Sequence, residues 1–325
     1  MTRIGVAGLG AWGQNLVRNF DELAEVRWLC DASAETRSSF EARYPRVRTS
    51  GDLGAVLADP EVDAVVIATP VASHFPLAKQ ALAAGKHVFV EKPPAMRGHE
   101  MEELCALAVE RERVLMPGHL LLYHPGVRKL KAVIDSGELG DIFYAYSDRL
   151  NLGVVRTVEN ALLSLGVHDL SVLLYLFDEE PNEVRAFGRG YLNPEVEDVV
   201  LCHLRFPSGR TANMRLSWLD PHKVRRITVV GREKMAVFDD MELDRKITVY
   251  DKAAEQASGT YGEWQTRTGD IFSPRIANDE PLRLECEHFL RLVREGPGDY
   301  KEARDGLMVV RALEQLQDSL SAVPA

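Results

Sequence analysis

Lys92 is the side chain of this 325-residue sequence whose position most suggests chemistry. It follows the apolar stretch 88–90 and Glu91 and precedes two prolines, so a buried parallel strand is predicted to end there. In open α/β sheets, ligands lie at the carboxyl ends of the strands. We therefore expect Lys92 to face a cofactor crevice, with a solvated lysine in a surface turn as the alternative.

A glycine-rich segment near the start of the chain indicates which cofactor that crevice would hold. The segment is Gly8-Leu9-Gly10-Ala11-Trp12-Gly13, between a predicted strand and a predicted helix. Its glycines permit a tight turn and let backbone amides approach a pyrophosphate at the helix N-terminus. The pattern predicts a dinucleotide site, and it gains weight from the strand and helix around it.

Asp31 indicates which dinucleotide is bound. It ends the second predicted strand, about 20 residues after the glycines, as expected for the carboxylate that binds the ribose hydroxyls. Because a carboxylate repels a 2′-phosphate, the sequence favours NAD over NADP. The alternative role for Asp31 is the N-cap of a helix predicted over 32–43. Arg37 on that helix could stack on the adenine or lie in solvent.

Strands and helices alternate over residues 1–120, which predicts a Rossmann domain with a doubly wound parallel sheet. One of its strands ends at Thr69-Pro70, and a helix is predicted to follow from residue 75. His74 lies at this strand end, where it could contact the nicotinamide ribose or serve as a capping or surface residue. The fold class is therefore α/β in this first domain.

The pattern changes over residues 121–325, which we expect to form an α+β domain with a large open, mostly antiparallel sheet. Strands are predicted over 141–150, 198–206, 211–219, 224–230, 235–238 and 246–250. Residues 252–280 are polar and irregular, so a loop or lid is expected there, before two final helices over 282–294 and 301–321. An open sheet of this size usually meets a partner subunit, so a homodimer or homotetramer is expected.

Composition excludes several classes of function. The formal net charge of −10 argues against nucleic acid and anionic membrane surfaces as partners. The four cysteines are far apart and form no C-x-x-C pair, so neither a disulfide framework nor a metal site is expected. No leader or membrane-spanning pattern is seen, and a cytoplasmic protein is the expectation.

A second group of polar residues lies in the stretch 148–169, where the two predicted domains succeed each other. His168 lies near the start of an apolar helix, where an imidazole is poorly placed for a core role. Arg156 and Asn160 suit a carboxylate or another polar sugar group, because the arginine fork can bind a carboxylate through two hydrogen bonds. Hydrogen bonds that order the loop are the alternative for both.

These motifs together resemble the Gfo/Idh/MocA oxidoreductase family over nearly the full length of the chain. The features that carry the resemblance are the glycine-rich segment, Thr69-Pro70 with His74, Glu91-Lys92-Pro93 and Gly166-Val167-His168-Asp169. Many members have an aspartate four residues before the histidine, where this chain has Ser164, which departs from the inositol dehydrogenase pattern.

A narrower resemblance is to a nucleotide-sugar subgroup, the UDP-N-acetylglucosaminuronate 3-dehydrogenases. It rests on Asp148-Arg149-Leu150-Asn151, Arg156, Asn160, the segment 217–225 and Glu285-Cys286-Glu287-His288-Phe289. The resemblance implies oxidation of a sugar at C3 with NAD, a cis Lys92–Pro93 bond and a last helix that packs back on the Rossmann domain.

The resemblance also implies roles for single residues. Lys92 and His168 are the expected catalytic pair, with the histidine as the base and the lysine as the charge that stabilises the alkoxide-like oxygen. Lys92 itself could be the base if burial lowered its pKa. The expected cofactor residues are Gly8, Gly10, Ala11, Trp12, Gly13, Asp31, Arg37, Thr69, Pro70, His74, Glu91 and Lys92. The expected substrate residues are Lys92, Tyr123, Arg149, Asn151, Arg156, Asn160 and His168.

Three functions remain open at this point. The first is a nucleotide-sugar 3-dehydrogenase with NAD, acting on a CH–OH group. The second is a sugar 3-ketoreductase of deoxysugar or aminosugar biosynthesis, which runs in the reverse direction. The third is an NAD-dependent glycosidase, which oxidises its sugar transiently and then eliminates.

Overall fold

The computed structural model describes residues 1–256 and 264–321, and it divides the chain into two compact units. The first unit comprises Met1–Leu120 and Glu280–Arg311. The second comprises Leu121–Asp279 and Ala312–Ala325.

The first unit contains a six-stranded parallel sheet with helices between its strands. Its strands are β1 (Arg3–Ala7), β2 (Glu25–Cys30), β3 (Arg48–Ser50), β4 (Ala64–Ile67), β5 (His87–Glu91) and β6 (Leu115–Gly118). Its helices are α1 (Gly13–Leu23), α2 (Ala34–Arg43), α3 (Leu53–Ala58), α4 (His74–Ala83), α5 (Gly98–Arg111), α8 (Pro281–Glu295) and the first part of α9 (Lys301–Ser321).

The strand order β3-β2-β1-β4-β5-β6 confirms the doubly wound parallel sheet. The order reverses between β1 and β4, so the loops after these two strands open the crevice in which such folds bind ligands. All four residues of β4 are buried, in keeping with a central strand covered by helices on both faces. The sequence did not reveal β3 or α3, which are only three and six residues long.

The second unit contains an eight-stranded sheet with the order β14-β13-β12-β11-β7-β10-β9-β8. These strands are β7 (Ile142–Leu150), β8 (Glu183–Arg189), β9 (Val199–Arg205), β10 (Thr211–Ser217), β11 (Val224–Gly231), β12 (Met235–Asp239), β13 (Ile247–Gln256) and β14 (Trp264–Phe272). All neighbours are antiparallel except β7 and β10, which confirms a mostly antiparallel sheet. Two helices accompany it, α6 (Pro125–Asp135) and α7 (Val167–Phe177).

The prediction of an irregular loop or lid over 252–280 was wrong for 252–256 and 264–272, whereas residues 273–280 contain no helix or strand, as predicted. Residues up to Gln256 belong to β13, and Trp264–Phe272 form β14, which pairs with β13 in antiparallel register. Nearly every residue of β14 is exposed, so the strand lacks the apolar alternation that would have revealed it. The part of this prediction over 257–263 lies outside the described residues. β8 was also missed by the sequence.

All four cysteines are free thiols. In the described ranges, 1–256 and 264–321, no helix is both long and apolar enough to cross a membrane.

Candidate active site

The glycine-rich segment follows β1 directly and leads into α1. Gly8 has a φ of +92°, which side-chain-bearing residues rarely adopt, and a Cβ at Gly13 would collide with the carbonyl oxygen of Gly8. These two glycines are therefore required by the turn itself. At Gly10, by contrast, a Cβ would meet no atom of the described residues within 4 Å. The space beside Gly10 is open to a ligand.

Asp31 follows β2 and joins it to the glycine-rich segment. Its Oδ2 accepts a hydrogen bond from the Leu9 amide at 2.8 Å, and its Oδ1 accepts one from the Ser33 amide at 2.9 Å. The N-cap of α2 is Ser33, whose hydroxyl accepts from the Thr36 amide, so the N-cap alternative for Asp31 was wrong. A carboxylate oxygen accepts more than one hydrogen bond, which leaves Asp31 able to bind hydroxyl groups as well.

A cleft of about 790 Å³ opens beside these residues, wholly within the first unit. It is lined by residues after β1, β2 and β4, including the predicted cofactor residues Gly8, Gly10, Ala11, Trp12, Asp31, Thr69 and Pro70. The cleft thus combines a glycine-rich loop at a helix N-terminus with the Asp31 carboxylate, which is bonded to that loop. This donor and acceptor set fits the pyrophosphate and ribose of a dinucleotide.

Two predicted cofactor residues have roles within the protein. The Arg37 guanidinium donates to the backbone oxygens of Asp31 at 2.7 Å and Ala32 at 3.1 Å, so it orders the end of β2. His74 is buried, and its ring nitrogens lie 2.7 Å from the Thr69 oxygen and 2.8 Å from the Pro93 oxygen. It links the ends of β4 and β5, and the idea of a surface histidine was wrong. Contacts of either residue with a cofactor stay predictions.

Lys92 follows the last residue of β5, as predicted, and its peptide bond with Pro93 is cis. Glu91 fixes this strand end through both carboxylate oxygens. Oε1 accepts from the Trp12 indole nitrogen at 2.5 Å, and Oε2 accepts from the Lys92 amide at 3.2 Å. Glu91 thus ties the strand that carries Lys92 to the glycine-rich segment.

The Glu91 carboxyl has a perturbed acidity. Burial raises the pKa of Glu91 to about 7, against the opposing effects of the two hydrogen bonds and of the Lys92 charge. Near neutral pH this group therefore changes between its charged and neutral forms.

His119 lies beside this strand end, immediately after β6, because Gly118 pairs in register with Glu91. Its side chain is buried, and its Nε2 has no hydrogen-bond partner among the described residues. Burial, with a smaller effect from the charge of Lys92, lowers the pKa of His119 to about 4, so the ring is neutral at neutral pH.

The second unit carries His168, the second residue of α7, directly after a π-helical turn over Leu162–Gly166. Such turns occur often at functional sites. The side chain of the next residue, Asp169, is buried and accepts two hydrogen bonds from Arg149, at 3.0 and 2.7 Å. This ion pair joins β7 to the start of the helix that carries His168. The structure gives Arg149 a positioning role, and its contact with substrate stays a prediction.

The other predicted substrate residues differ in exposure. Asn160 is buried, its amide nitrogen donates to Glu197 at 2.9 Å and to Gln317 at 3.0 Å, and its oxygen accepts from the Leu163 amide. For Asn160 the structure therefore shows the loop-ordering alternative.

Arg156 is exposed and lies 3.7 Å from Glu159. Asn151 is partly buried, and its backbone N–H donates to the backbone oxygen of Ser217. Tyr123 is buried, and the Arg128 guanidinium lies over its ring. Substrate contacts of these residues stay predictions.

Sequence reasoning assigned no role to two groups of the first unit, His119 and Glu285. Glu285 lies on the buried stripe of α8 with Leu282, Cys286 and Phe289. A carboxylate inside an apolar stripe of helical spacing is a signal that the sequence does contain. For His119 we find no local pattern that would have singled it out. Within the described ranges, no group of three or more His, Cys, Asp or Glu side chains is arranged to hold a metal ion.

The doubly wound sheet and the cleft at its strand ends define the first unit as a dinucleotide-binding domain of the kind that oxidoreductases use. Comparison with known proteins agrees. Residues 2–119 match the model for the oxidoreductase family Gfo/Idh/MocA with its NAD-binding Rossmann fold, and residues 127–237 match the model for the C-terminal domain of the same family. The chain belongs to the Gfo/Idh/MocA oxidoreductase family.

The chain is similar to several named members of the family along most of its length. It is 27% identical to a UDP-N-acetylglucosamine 3-dehydrogenase from Acidithiobacillus ferrooxidans over 98% of this chain and 97% of that protein. A solved structure of that dehydrogenase has a TM-score of 0.82, with 26% identity over 98% and 97% of the two chains. The chain is also 27% identical to an inositol 2-dehydrogenase from Acidothermus cellulolyticus, covering 98% and 92% of the chains. A scyllo-inositol 2-dehydrogenase (NAD(+)) from Bacillus subtilis is 27% identical over 90% and 86%.

Proposed function

We propose that this oxidoreductase uses NAD to oxidise a secondary alcohol, at C3, of a nucleotide-linked sugar. The observation that carries the proposal is a hydrogen-bonded link between the strand end at Lys92 and the glycine-rich segment. Glu91 links the strand end that presents Lys92 to Trp12 of the glycine-rich segment. A charge stabiliser, or a base, is thereby held beside a cleft that fits a dinucleotide.

The chemistry follows from two side chains. A bound nicotinamide supplies the acceptor for a hydride. Lys92 stabilises the charge that develops on the substrate oxygen, and His168 removes the hydroxyl proton. We propose that both act on the same hydroxyl group. The Arg149–Asp169 ion pair orders the start of the helix that carries the histidine.

The choice of substrate class rests on similarity along the full length of the chain. The dehydrogenase from Acidithiobacillus ferrooxidans is named for UDP-N-acetylglucosamine, which has no sugar carboxylate, whereas the motifs in the sequence resemble the subgroup that acts on the corresponding uronate. The exposed Arg156 suits the uronate better, because its fork can bind a carboxylate. We propose a UDP-linked N-acetylamino sugar as the substrate class, with the two forms to be compared directly.

The test measures NADH and products together. The protein is incubated with NAD and, in turn, UDP-N-acetylglucosamine, its uronate, free N-acetylglucosamine and myo-inositol. The proposal predicts NADH only with a UDP-linked sugar, together with a 3-keto product that keeps its nucleotide. Free sugar released without net NADH would instead identify a glycosidase. Turnover only from a keto-sugar and NADH would identify a ketoreductase.

Three variants, two single and one double, test the roles of the two catalytic candidates. Loss of a positioned base costs about 10²–10⁴ in rate, and loss of a charge stabiliser costs about 10²–10³. Because members of one catalytic unit are far from additive, Lys92→Met combined with His168→Asn should be little slower than the slower single variant. NAD binding should survive in all three. A His168→Asn enzyme with a near-normal single-turnover rate at every pH would remove the histidine from the mechanism.

We further propose that the open face of the second sheet meets a copy of the same chain. Tyr146, Phe187 and Leu201 are exposed on β7, β8 and β9, where an isolated sheet would present polar residues. Light scattering on Tyr146→Asp and Leu201→Asp should give a smaller species than the unmodified protein. A monomeric unmodified protein at micromolar concentration would contradict this.

A further inference from the structure

His74 is a buried histidine whose two ring nitrogens both have an oxygen partner. It begins α4 and is 1% exposed. Its Nε2 lies 2.7 Å from the backbone oxygen of Thr69, and its Nδ1 lies 2.8 Å from the backbone oxygen of Pro93. Both distances are those of good hydrogen bonds between nitrogen and oxygen.

The chemical nature of the two partners determines what the ring must donate. A backbone carbonyl oxygen only accepts hydrogen bonds, so the ring has to supply the proton to both Thr69 and Pro93. A neutral imidazole has one N–H group and one nitrogen lone pair, whereas an imidazolium ion has two N–H groups. In either neutral tautomer, a nitrogen lone pair would face a carbonyl oxygen at hydrogen-bond distance, which is repulsive. The geometry therefore fits a ring that is protonated at both nitrogens.

Burial alone opposes a charge on this ring, and the two hydrogen bonds oppose that effect. Removal of a cation from water costs free energy, whereas hydrogen bonds made by the charged form favour that form. Bonds from a charged donor are also shorter and stronger than bonds between neutral groups. A buried imidazolium ion is thus compatible with a position that supplies one carbonyl oxygen to each of its nitrogens.

The carboxylates on the elements around this histidine are engaged with other groups. Glu103 of α5 pairs with Lys79 of α4. Glu100, also on α5, accepts from two backbone amides at the start of that helix. At the end of β5, Glu91 is bonded to the indole of the glycine-rich segment, and the cation there is Lys92. The two carbonyl oxygens are therefore the acceptors that define the protonation state of the ring.

The two carbonyl groups belong to different parts of the candidate site. Thr69 follows β4 and lines the dinucleotide cleft. Pro93 comes directly after Lys92 at the end of β5. The ring of His74 thus joins the wall of the cleft to the strand end that presents Lys92. Glu91 joins the same strand end to the glycine-rich segment, so two separate links hold it.

We propose that His74 is a positioning residue, protonated at both ring nitrogens at neutral pH, whose imidazolium ion holds the Lys92–Pro93 turn against the Thr69 wall of the cleft. A neutral side chain with a single donor would bind one of the two carbonyl oxygens and release the other, which would break the link. The role of His74 in catalysis rests on the proposed function, whereas its protonation state does not.

Nitrogen NMR measures the protonation state without any substrate. The full chain is labelled with ¹³C at the serine carbonyl carbon and with ¹³C and ¹⁵N throughout histidine. Ser73-His74 is the only Ser-His pair in the sequence, so this labelling identifies His74 without a variant. At pH 7.5 both ring nitrogens should have the chemical shifts of N–H groups, and each should be coupled to a slowly exchanging proton. One protonated and one unprotonated nitrogen would overturn the inference.

Two variants test whether the link needs both of its ends. Asparagine places its amide nitrogen near the position of Nδ1, and glutamine places it near the position of Nε2. His74→Asn should therefore keep the bond to Pro93, and His74→Gln the bond to Thr69, but neither keeps both. Since a small displacement of a catalytic group can cost about 10²-fold in rate, kcat should fall by up to about 10²-fold in both variants, with the KM for the sugar unchanged.

The control is His99→Gln, which removes an exposed histidine from α5 and should leave kcat unchanged. Calorimetric binding of NAD verifies the fold of each variant. An undiminished kcat in either His74→Asn or His74→Gln would overturn the positioning role, because one bond would then suffice. Two protonated nitrogens in a protein that turns over no nucleotide sugar would support the imidazolium ion and refute the proposed function.

Discussion

Replacement of Asp31 by alanine should change which dinucleotide the protein binds. In the structure Asp31 already accepts hydrogen bonds from the Leu9 and Ser33 amides, and it lines the cleft beside the glycine-rich segment. A carboxylate can accept further hydrogen bonds, and the end of the second strand is where a ribose lies in a fold of this kind. The variant therefore loses both an acceptor for the ribose hydroxyls and a negative charge.

The expected magnitude follows from these two losses. Hydrogen bonds to a charged group contribute about 1.5–3 kcal/mol each, so loss of two should weaken NAD by about 3 kcal/mol or more, which is about 10²-fold in Kd. Repulsion between Asp31 and a 2′-phosphate about 4 Å away lies between roughly 1 and 4 kcal/mol per unit charge, toward the lower end in an open cleft. For NADP, removal of this repulsion should roughly offset the loss of the hydrogen bond between Asp31 and the ribose. The preference for NAD should therefore shrink by at least about 10²-fold in Asp31→Ala.

Calorimetric titration with both dinucleotides measures this directly, at one fixed ionic strength because salt screens the repulsion. Asp31→Asn keeps an acceptor for the Leu9 amide. This variant therefore distinguishes the effect of the lost negative charge from the effect of a disordered glycine-rich loop. Asp52→Asn is the matched control, since Asp52 lines the same cleft but its carboxylate caps α3. Equal affinities of the unmodified protein for NAD and NADP would refute the reasoning, as would an unchanged ratio in Asp31→Ala.

Three further outcomes follow from other residues. Gly10→Ala should fold normally but bind NAD more weakly, because its methyl group enters the open ligand space, whereas Gly13→Ala should lower Tm because the methyl group collides with the loop. Arg156→Lys keeps the charge but loses the fork, so binding of a uronate substrate should weaken by about 1–3 kcal/mol with NAD binding unchanged. Burial, with a smaller effect from Arg113, lowers the pKa of His87 to about 4. Because the unfolded chain binds this proton below about pH 6.5 and the native state only below about pH 4, stability falls as pH falls across that window, and His87→Gln should remove about 3 kcal/mol of this loss.

Each of these outcomes has its own check. Equal Tm values for the two glycine variants would contradict the collision at Gly13. An unaltered Michaelis constant of Arg156→Lys across the UDP-linked sugars would remove that residue from the site. For His87, urea unfolding at pH 7.5 and 4.5 is compared with the same experiment on the exposed His99→Gln. A pH dependence that is the same in both variants would contradict the assignment.

The parts of the site that the sequence predicts are those fixed by local spacing. The glycine-rich segment, Asp31 and Lys92 each follow a short apolar strand, and the ends of neighbouring parallel strands meet at one edge whatever the loops between them do. Their places in the first unit were therefore predictable from residue types and distances along the chain.

The parts that escaped prediction depend on contacts with other segments of the chain. The sequence shows Asn160 only as a polar loop residue. Its role depends on the hydrogen bonds that its side-chain nitrogen donates to Glu197 and Gln317. β14 has no apolar alternation, and only its pairing with β13 makes it a strand. None of these relations leaves a local pattern.

A sugar deuterated at C3 tests our proposal that a hydride passes between C3 of a UDP-linked amino sugar and a nicotinamide bound beside Lys92. UDP-N-acetylglucosamine and its uronate, each deuterated at C3, are mixed with NAD and the protein, and the reduced cofactor is analysed by mass spectrometry. We expect deuterium in NADH, a slower single turnover than with the unlabelled sugar, and no label transfer in Lys92→Met on the same timescale. Reduced cofactor without deuterium, or label transfer at an undiminished rate in Lys92→Met, would contradict it.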